Sequence, residues 1–117
     1  MSLEWEQVTV EADDAVALGQ WWAEALRWVV VDEGPVVLEI RPEPDRVPGI
    51  FFIDSPADRH PKNRLHFDFR PDDQAAEVER LLAMGATRAD IGQGDDVSWV
   101  VMADPEGNEF CVLRGSV

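Results

Sequence analysis

Polar and apolar residues alternate strictly over Arg64–Arg70. The three large apolar residues of this segment fall on one side, and its charged residues and His66 fall on the other. A period of two is typical of a β-strand with one face on a core and the other towards solvent or a cavity. The pattern therefore predicts a strand that carries His66 on its polar face.

The N-terminal half of the chain contains similar patterns. Residues 5–10 alternate and predict a strand, and the acidic residues at 11–14 suit the start of a helix. Apolar residues at helical spacing then predict an amphipathic helix over residues 15–26. Three further strands, the first two joined by a Glu-Gly-Pro turn, are predicted over residues 28–32, 36–41 and 49–54.

The second half repeats this order of elements. The strand at Arg64–Arg70 is followed by Pro71–Asp73, which starts a helix whose apolar stripe begins at Val78. The segment Asp104–Gly107 has the residue types of a type I β-turn between the last two strands. The remaining strands are predicted over residues 87–90, 97–103 and 109–114.

Both halves therefore read β-α-β-β-β, which indicates a duplicated unit. The helix stripes align at an offset of 60 residues (Leu18 onto Val78). The opening and closing strands align at an offset of 59, which pairs Gln7 with His66 and Phe52 with Cys111.

The predicted fold class is α+β. Two tandem βαβββ units form a curved mixed sheet around a cleft, with the helices on the convex side. We expect one domain over residues 1–117, with unit 1 at about residues 3–54, a linker at 55–63 and unit 2 at about 64–115.

Composition and charge narrow the classes of partner. An apolar fraction of 45% and five tryptophans favour a packed core, and a net charge of -14 argues against binding to nucleic acid or anionic membranes. A single cysteine excludes an internal disulfide and fits a cytoplasmic protein. The sequence has no apolar run long enough for a membrane span and no signal-peptide pattern in residues 1–10.

Three segments carry a resemblance to a known family: residues 21–28, residues 62–68 with His66, and the Asp-Pro-Glu-Gly turn with its flank at 104–110. They resemble the vicinal oxygen chelate superfamily of glyoxalases, bleomycin-resistance proteins and extradiol dioxygenases. The resemblance covers nearly the whole chain and implies the same fold. It also implies a small-molecule ligand and a homodimer, but not one activity, because this fold serves many functions.

The resemblance also implies where a metal would bind. Metal-dependent members take four ligands from the first and last strands of each unit, and the matching positions here are Gln7, Phe52, His66 and Cys111. A one-residue shift of the closing strand would replace Phe52 by Phe51. Phenylalanine offers no donor, and Cys111 stands where the superfamily usually has a carboxylate, so we expect no glyoxalase-type metal site and no cofactor. The alternative is Zn²⁺ held by Gln7, His66 and Cys111.

Several residues are candidates for contacting a ligand. His66 could act as an acid or base near neutral pH or could simply be hydrogen-bonded, and Asp68 lies about 7 Å along the same strand face. Cys111 could be a small buried residue instead of a ligand. The basic loop at 59–64 could attract an anionic group or be a plain linker. The candidates for lining an apolar cavity are Trp5, Phe52, Trp99 and Met102.

Three functions remain open from the sequence. The first is a small-molecule-binding protein without metal, in which Gln7 and His66 orient an aromatic or apolar ligand. The second is a lyase or isomerase with His66 as base and a non-standard metal site. The third is a drug-sequestering protein, for which the acidic chain would favour a cationic drug.

Overall fold

The computed structural model describes residues 4–55, 67–89 and 97–114. The chain divides into two compact units, one within residues 1–59 and one within residues 60–117. None of the helices within these described ranges is long and apolar enough to cross a membrane.

Unit 1 has a four-stranded sheet, sheet 1, and one helix. The strands occur in the order β1-β4-β3-β2, with β1 parallel to β4 and the other pairs antiparallel. The elements are β1 (Gln7–Ala12), α1 (Ala15–Leu26), β2 (Val29–Glu33), β3 (Val37–Arg41) and β4 (Gly49–Asp54).

Two aspartates fix the start of α1. Asp14 is the N-cap, and its Oδ1 accepts from the backbone N–H of Ala17 at 3.1 Å. Asp54 at the end of β4 accepts from the N–H of Ala15 at 2.7 Å. Because the first N–H groups of a helix have no partner within the helix, these acceptors set its first residue and tie it to the sheet.

Helix α1 packs closely against one face of sheet 1 through Gly19. A Cβ added at Gly19 would lie 2.5 Å from Leu38 Cδ2 and 3.0 Å from Phe52 Cδ1. Leu38 and Phe52 are register partners on β3 and β4, and both are almost fully buried. Since side chains alternate along a strand, the opposite side, called the far face of sheet 1, carries Gln7, Thr9, Glu39, Arg41, Gly49 and Phe51.

Unit 2 repeats this arrangement with a second sheet, sheet 2. Its strand order is β5-β8-β7-β6, and β5 is parallel to β8. Asp73 caps α2 and accepts from the N–H of Ala76 at 3.1 Å. The elements are β5 (Phe67–Phe69), α2 (Gln74–Ala83), β6 (Thr87–Arg88), β7 (Val100–Ala103) and β8 (Glu109–Val112).

The turn between β7 and β8 has the predicted hydrogen bond. The N–H of Gly107 donates to the carbonyl of Asp104 at 2.8 Å. The buried Asp104 carboxylate accepts from the backbone N–H groups of Glu106 and Asn108, both at 2.9 Å. These bonds offset the desolvation of Asp104 and hold the two strands in register.

The predicted α+β fold with two βαβββ units is confirmed, and helix α1 has the predicted bounds. Two predicted offsets are wrong by one residue. Val8 pairs with Ile50 in unit 1, and Phe67 pairs with Phe110 in unit 2. The offsets of the opening and closing strands therefore differ by one. With the opening strands aligned at 59, the closing strands align at 60, so that Phe51, not Phe52, corresponds to Cys111.

The helices show the opposite error. Their N-caps, Asp14 and Asp73, align at an offset of 59 instead of 60. The predicted strand at 97–103 begins before its hydrogen-bonded ladder, and the predicted strand at 109–114 ends after its ladder, because residues 97–99 and 113–114 are outside β7 and β8. Residues 64–66 of the predicted opening strand lie outside the described part of the chain.

Candidate ligand-binding site

The far face of sheet 1 carries a pair of opposite charges on β3. Arg41 Nε donates to Glu39 Oε2 at 2.9 Å, and Arg41 Nη2 donates to Glu6 Oε2 at 2.9 Å. Glu6 lies just before β1. The arginine therefore links the end of β3 to the segment that leads into β1.

Gly49 leaves room for the Arg41 side chain. A Cβ added at Gly49 would lie 3.0 Å from Arg41 Cγ and 2.7 Å from the carbonyl oxygen of Ile40. The aliphatic part of Arg41 thus lies against a strand position that has no side chain, and only 19% of the Arg41 side chain is exposed. Gln7, the register partner of Gly49 on β1, completes this row of the far face.

The next row of the far face combines an aromatic ring with polar groups. Phe51 pairs with Thr9 on one side and with Glu39 on the other, and Asp32 of β2 pairs with Glu39. Phe51 and Glu39 are half-buried, whereas Thr9 and Asp32 are exposed. An apolar surface with a few placed polar groups is typical of small-molecule sites.

Trp5 lies just before β1. Its side chain is 64% exposed, and its indole Nε1 donates to the carbonyl of Gln7 at 3.2 Å. Two predicted ligand residues, Trp5 and Gln7, therefore lie together. Arg41 and Glu6 beside them were missed, although the alternation over residues 38–41 already placed Glu39 and Arg41 on one strand face.

Sheet 2 brings together two other predicted residues, Asp68 and Cys111. They are register partners on β5 and β8, and the Cys111 thiol donates to the Asp68 carboxylate. Burial raises the pKa of the Cys111 thiol, and the negative charges of Asp68 and Glu109 raise it further. At neutral pH Cys111 is therefore a protonated thiol, which is a poor nucleophile.

The predictions that Phe52 and Met102 line a ligand cavity need correction. Phe52 is 1% exposed and packs against Gly19 of α1, on the face of sheet 1 that the helix covers. Met102 is fully buried and pairs with Phe110, on the face of sheet 2 opposite to Cys111. Both side chains belong to cores, because a one-residue shift along a strand reverses the face.

Trp99 is the last predicted site residue that the structure describes. Trp99 is 39% exposed and precedes β7. His66 and the basic loop at 59–64 lie outside the described residues, so that their predicted roles stay predictions.

The donor groups in the described part of the chain do not fit a hard divalent ion. No group of three or more His, Cys, Asp and Glu residues within it could hold a metal. Phe51 occupies the closing-strand position that corresponds to Cys111, and its ring offers no donor. The zinc alternative with Gln7, His66 and Cys111 stays untested, because His66 is not among the described residues.

Comparison with known proteins decides the family. The profile of the glyoxalase-like domain matches residues 7–113. The chain belongs to the glyoxalase-like domain family. None of the curated proteins matches the sequence.

Solved structures of the same superfamily share the fold of this glyoxalase-like domain. A glyoxalase/bleomycin resistance protein/dioxygenase family enzyme from Burkholderia phytofirmans PsJN has a TM-score of 0.71 at 19% identity, covering 96% of this chain and 98% of that one. The bleomycin resistance determinant of transposon Tn5 has a TM-score of 0.64 at 13% identity, covering 98% and 100%. TnmS3, an antibiotic binding protein from Streptomyces sp. CB03234, has a TM-score of 0.67 at 19% identity, covering 98% of each chain.

These similarities confirm the predicted membership of the vicinal oxygen chelate superfamily. At identities below 25% the solved structures share the fold and do not identify a ligand. The ligand of this glyoxalase-like domain therefore depends on its own site residues.

Proposed function

We propose that this glyoxalase-like protein binds a small organic molecule and lacks the divalent metal site of the glyoxalases. The observation that carries the proposal is the pair of closing-strand positions related by the duplication. One holds Phe51, which has no donor atom, and the other holds Cys111, which has a thiol and no oxygen donor. A hard divalent ion needs several oxygen ligands, and neither side chain supplies one.

The far face of sheet 1 supports the binding of an organic ligand. The exposed indole of Trp5 and the half-buried ring of Phe51 offer apolar surface, and Gln7 and Arg41 offer hydrogen bonds. Two proteins of the same fold are named for binding or resisting antibiotics, the Tn5 bleomycin resistance determinant and TnmS3. Sequestration of a drug-like molecule is therefore included in the proposal.

Metal analysis tests the proposal directly. Protein freed of adventitious ions with a chelator is dialysed against Mn²⁺, Ni²⁺ or Zn²⁺, passed through a desalting column and analysed by mass spectrometry. We expect far less than one retained ion per chain. A stoichiometric, tightly held ion that is lost in both His66→Ala and Cys111→Ala would overturn the proposal and favour the zinc-dependent lyase or isomerase.

The lyase or isomerase alternative depends on His66. If the protein catalyses a reaction with His66 as the base, His66→Ala abolishes the activity and His66→Gln does not restore it. Retention of the activity in His66→Ala excludes that mechanism and leaves the binding function.

We also propose that the protein is a cytoplasmic homodimer. Its single, buried cysteine suits a reducing compartment, and dimers are common in the superfamily that the sequence resembles. Sedimentation equilibrium at micromolar concentration is expected to give twice the chain mass of 13.1 kDa. A single species of one chain mass would contradict the dimer.

A further inference from the structure

We propose that Arg41 is the polar anchor of the ligand and binds a carboxylate that displaces Glu6. The inference rests on the proposed binding function and gives its ligand a chemical class, the aryl carboxylates. In the structure the Glu6 carboxylate occupies the place of the ligand group on Arg41 Nη2.

Arg41 is held in position independently of Glu6. Its stem lies against Gly49, and its Nε is bonded to Glu39, whose side chain is only 13% exposed. A guanidinium held at Nε by a half-buried carboxylate keeps its orientation when a second partner leaves. The Nη edge of Arg41 is therefore a prearranged receptor for a planar anion.

Glu6 is the replaceable partner. Its side chain is 64% exposed, and Glu6 precedes β1. Its backbone carbonyl accepts from the N–H of Gly49 at 2.9 Å, so that the main chain stays in place when the carboxylate moves. Exposed ion pairs contribute little free energy, since water and salt compete for both charges. A ligand carboxylate can take over the bond to Arg41 while Glu6 returns to solvent.

The guanidinium also has donors to spare. Of its five N–H groups, Nε–H binds Glu39, one Nη2–H binds Glu6, and one Nη1–H reaches the carbonyl of Pro44 at 3.4 Å. Two N–H groups have no acceptor among the described residues. A carboxylate that contacts both Nη atoms would gain a bidentate pair, which Glu6 does not form.

The surroundings of Arg41 select the rest of the ligand. Gln7 lies in the same row of the far face, Phe51 lies in the next row, and the Trp5 ring is beside Gln7. Aromatic groups stack favourably on such rings. The net charge of -14 opposes anions at long range, and at physiological salt this repulsion is screened beyond about 8 Å.

The test uses 2-naphthoate and its neutral isostere 2-naphthamide, titrated calorimetrically into the full chain. The variant Glu6→Gln removes the internal competitor, and we expect it to bind naphthoate about two- to fivefold tighter than the unchanged protein. Glu4→Gln removes the same charge two residues earlier, at an exposed position, and is the matched control with nearly unchanged affinity. Arg41→Gln is expected to lose at least about tenfold.

The comparison of ligands separates this inference from the proposed function. Naphthamide should bind more weakly than naphthoate and should not respond to Glu6→Gln. Equal affinity of the two ligands, or an unchanged or weaker naphthoate affinity in Glu6→Gln, overturns the anchor and leaves the proposed binding function intact. Absence of naphthoate binding in both the unchanged protein and Glu6→Gln also overturns the anchor, whereas metal analysis decides the proposed function separately.

Discussion

The two units build the same fold from different distributions of volume. In unit 1 the helix contributes Gly19, and the sheet contributes the large side chains of Leu38 and Phe52. With the N-caps superposed, Gly19 corresponds to the buried Val78 of α2. The register partners that correspond to Leu38 and Phe52 are Val100 and Val112. A small helix residue over large sheet residues in one unit is replaced by three residues of similar size in the other.

The other faces of the two sheets differ in charge. In unit 1, Gly49 at the start of β4 and Arg41 at the end of β3 lie side by side. The corresponding register pair in unit 2 is Glu109 and Ala103. Where unit 1 has a glycine packed against a cation, unit 2 has a carboxylate with a small apolar neighbour. The duplication preserves the scaffold and leaves each sheet free to carry its own chemistry, which is why one unit can be a receptor for an anion and the other an acidic environment for Cys111.

A substitution at Gly19 tests whether the small helix residue and the large sheet residues of unit 1 compensate each other in volume. Gly19→Val copies unit 2 and forces a side chain into the space of Leu38 and Phe52, because its Cβ alone would lie 2.5 Å from Leu38. We expect a loss of about 3 kcal/mol in the free energy of unfolding, measured by urea denaturation. The double variant Gly19→Val with Phe52→Val should recover part of that loss. Purely additive effects of the two substitutions would refute the proposed exchange.

A substitution at Arg41 removes the cation that distinguishes sheet 1 from sheet 2 at this position. Arg41→Gln leaves the half-buried Glu39 carboxylate without its cation, and we expect a loss of about 2 kcal/mol, less than for a fully buried pair because both groups retain some exposure. Glu6→Gln should cost less than about 0.5 kcal/mol, because Glu6 is exposed. A larger loss in Glu6→Gln than in Arg41→Gln would show that the outer pair, not the inner one, stabilises sheet 1.

The acidic surroundings of Cys111 make the stability of the protein depend on alkaline pH. The folded-state pKa of Cys111 is raised above its ordinary value of 9.0, so the folded chain retains the proton longer than the unfolded chain. This contribution is fully present below about pH 9 and is lost as the pH rises through the folded-state pKa. The free energy of unfolding should therefore fall by at most about 1.4 kcal/mol per pH unit above pH 9.

The control for this dependence is Cys111→Ala, which should remove it, and Asp68→Asn should reduce it. Few other side chains titrate in this pH range, because the sequence contains no tyrosine and Lys62 is its one lysine. An identical alkaline slope in the unchanged protein and Cys111→Ala would contradict the role of Cys111.

The sequence predicted those elements whose signals are local. Helix α1 has its predicted bounds because a helical stripe follows an aspartate cap, and both signals lie within the segment. Phe52 was assigned to the wrong face because β4 is apolar at Ile50, Phe51, Phe52 and Ile53, with no polar residue to mark the solvent side. Only the pairing of β4 with its neighbours distinguishes Phe51 from Phe52, and that pairing is a tertiary property.

The contacts of Arg41 could not be predicted from the sequence for the same reason. The spacing of Glu39 and Arg41 places them on one strand face, but their contacts with Glu6 and Gly49 depend on the parallel pairing of β1 and β4. By contrast, Asp68 and Cys111 were both candidates from the sequence. The structure makes them hydrogen-bonded neighbours, and the raised pKa of the Cys111 thiol depends on its burial and on this contact, which no residue pattern reveals.

The bare backbone at Gly49 limits how this protein can be redesigned. Any substitution there would push a methyl group against the carbonyl oxygen of Ile40, which belongs to the main chain and cannot rotate away. A library aimed at new ligand preferences should therefore hold position 49 constant and randomise positions 6 and 51, where side chains can change length and polarity without displacing a neighbouring strand.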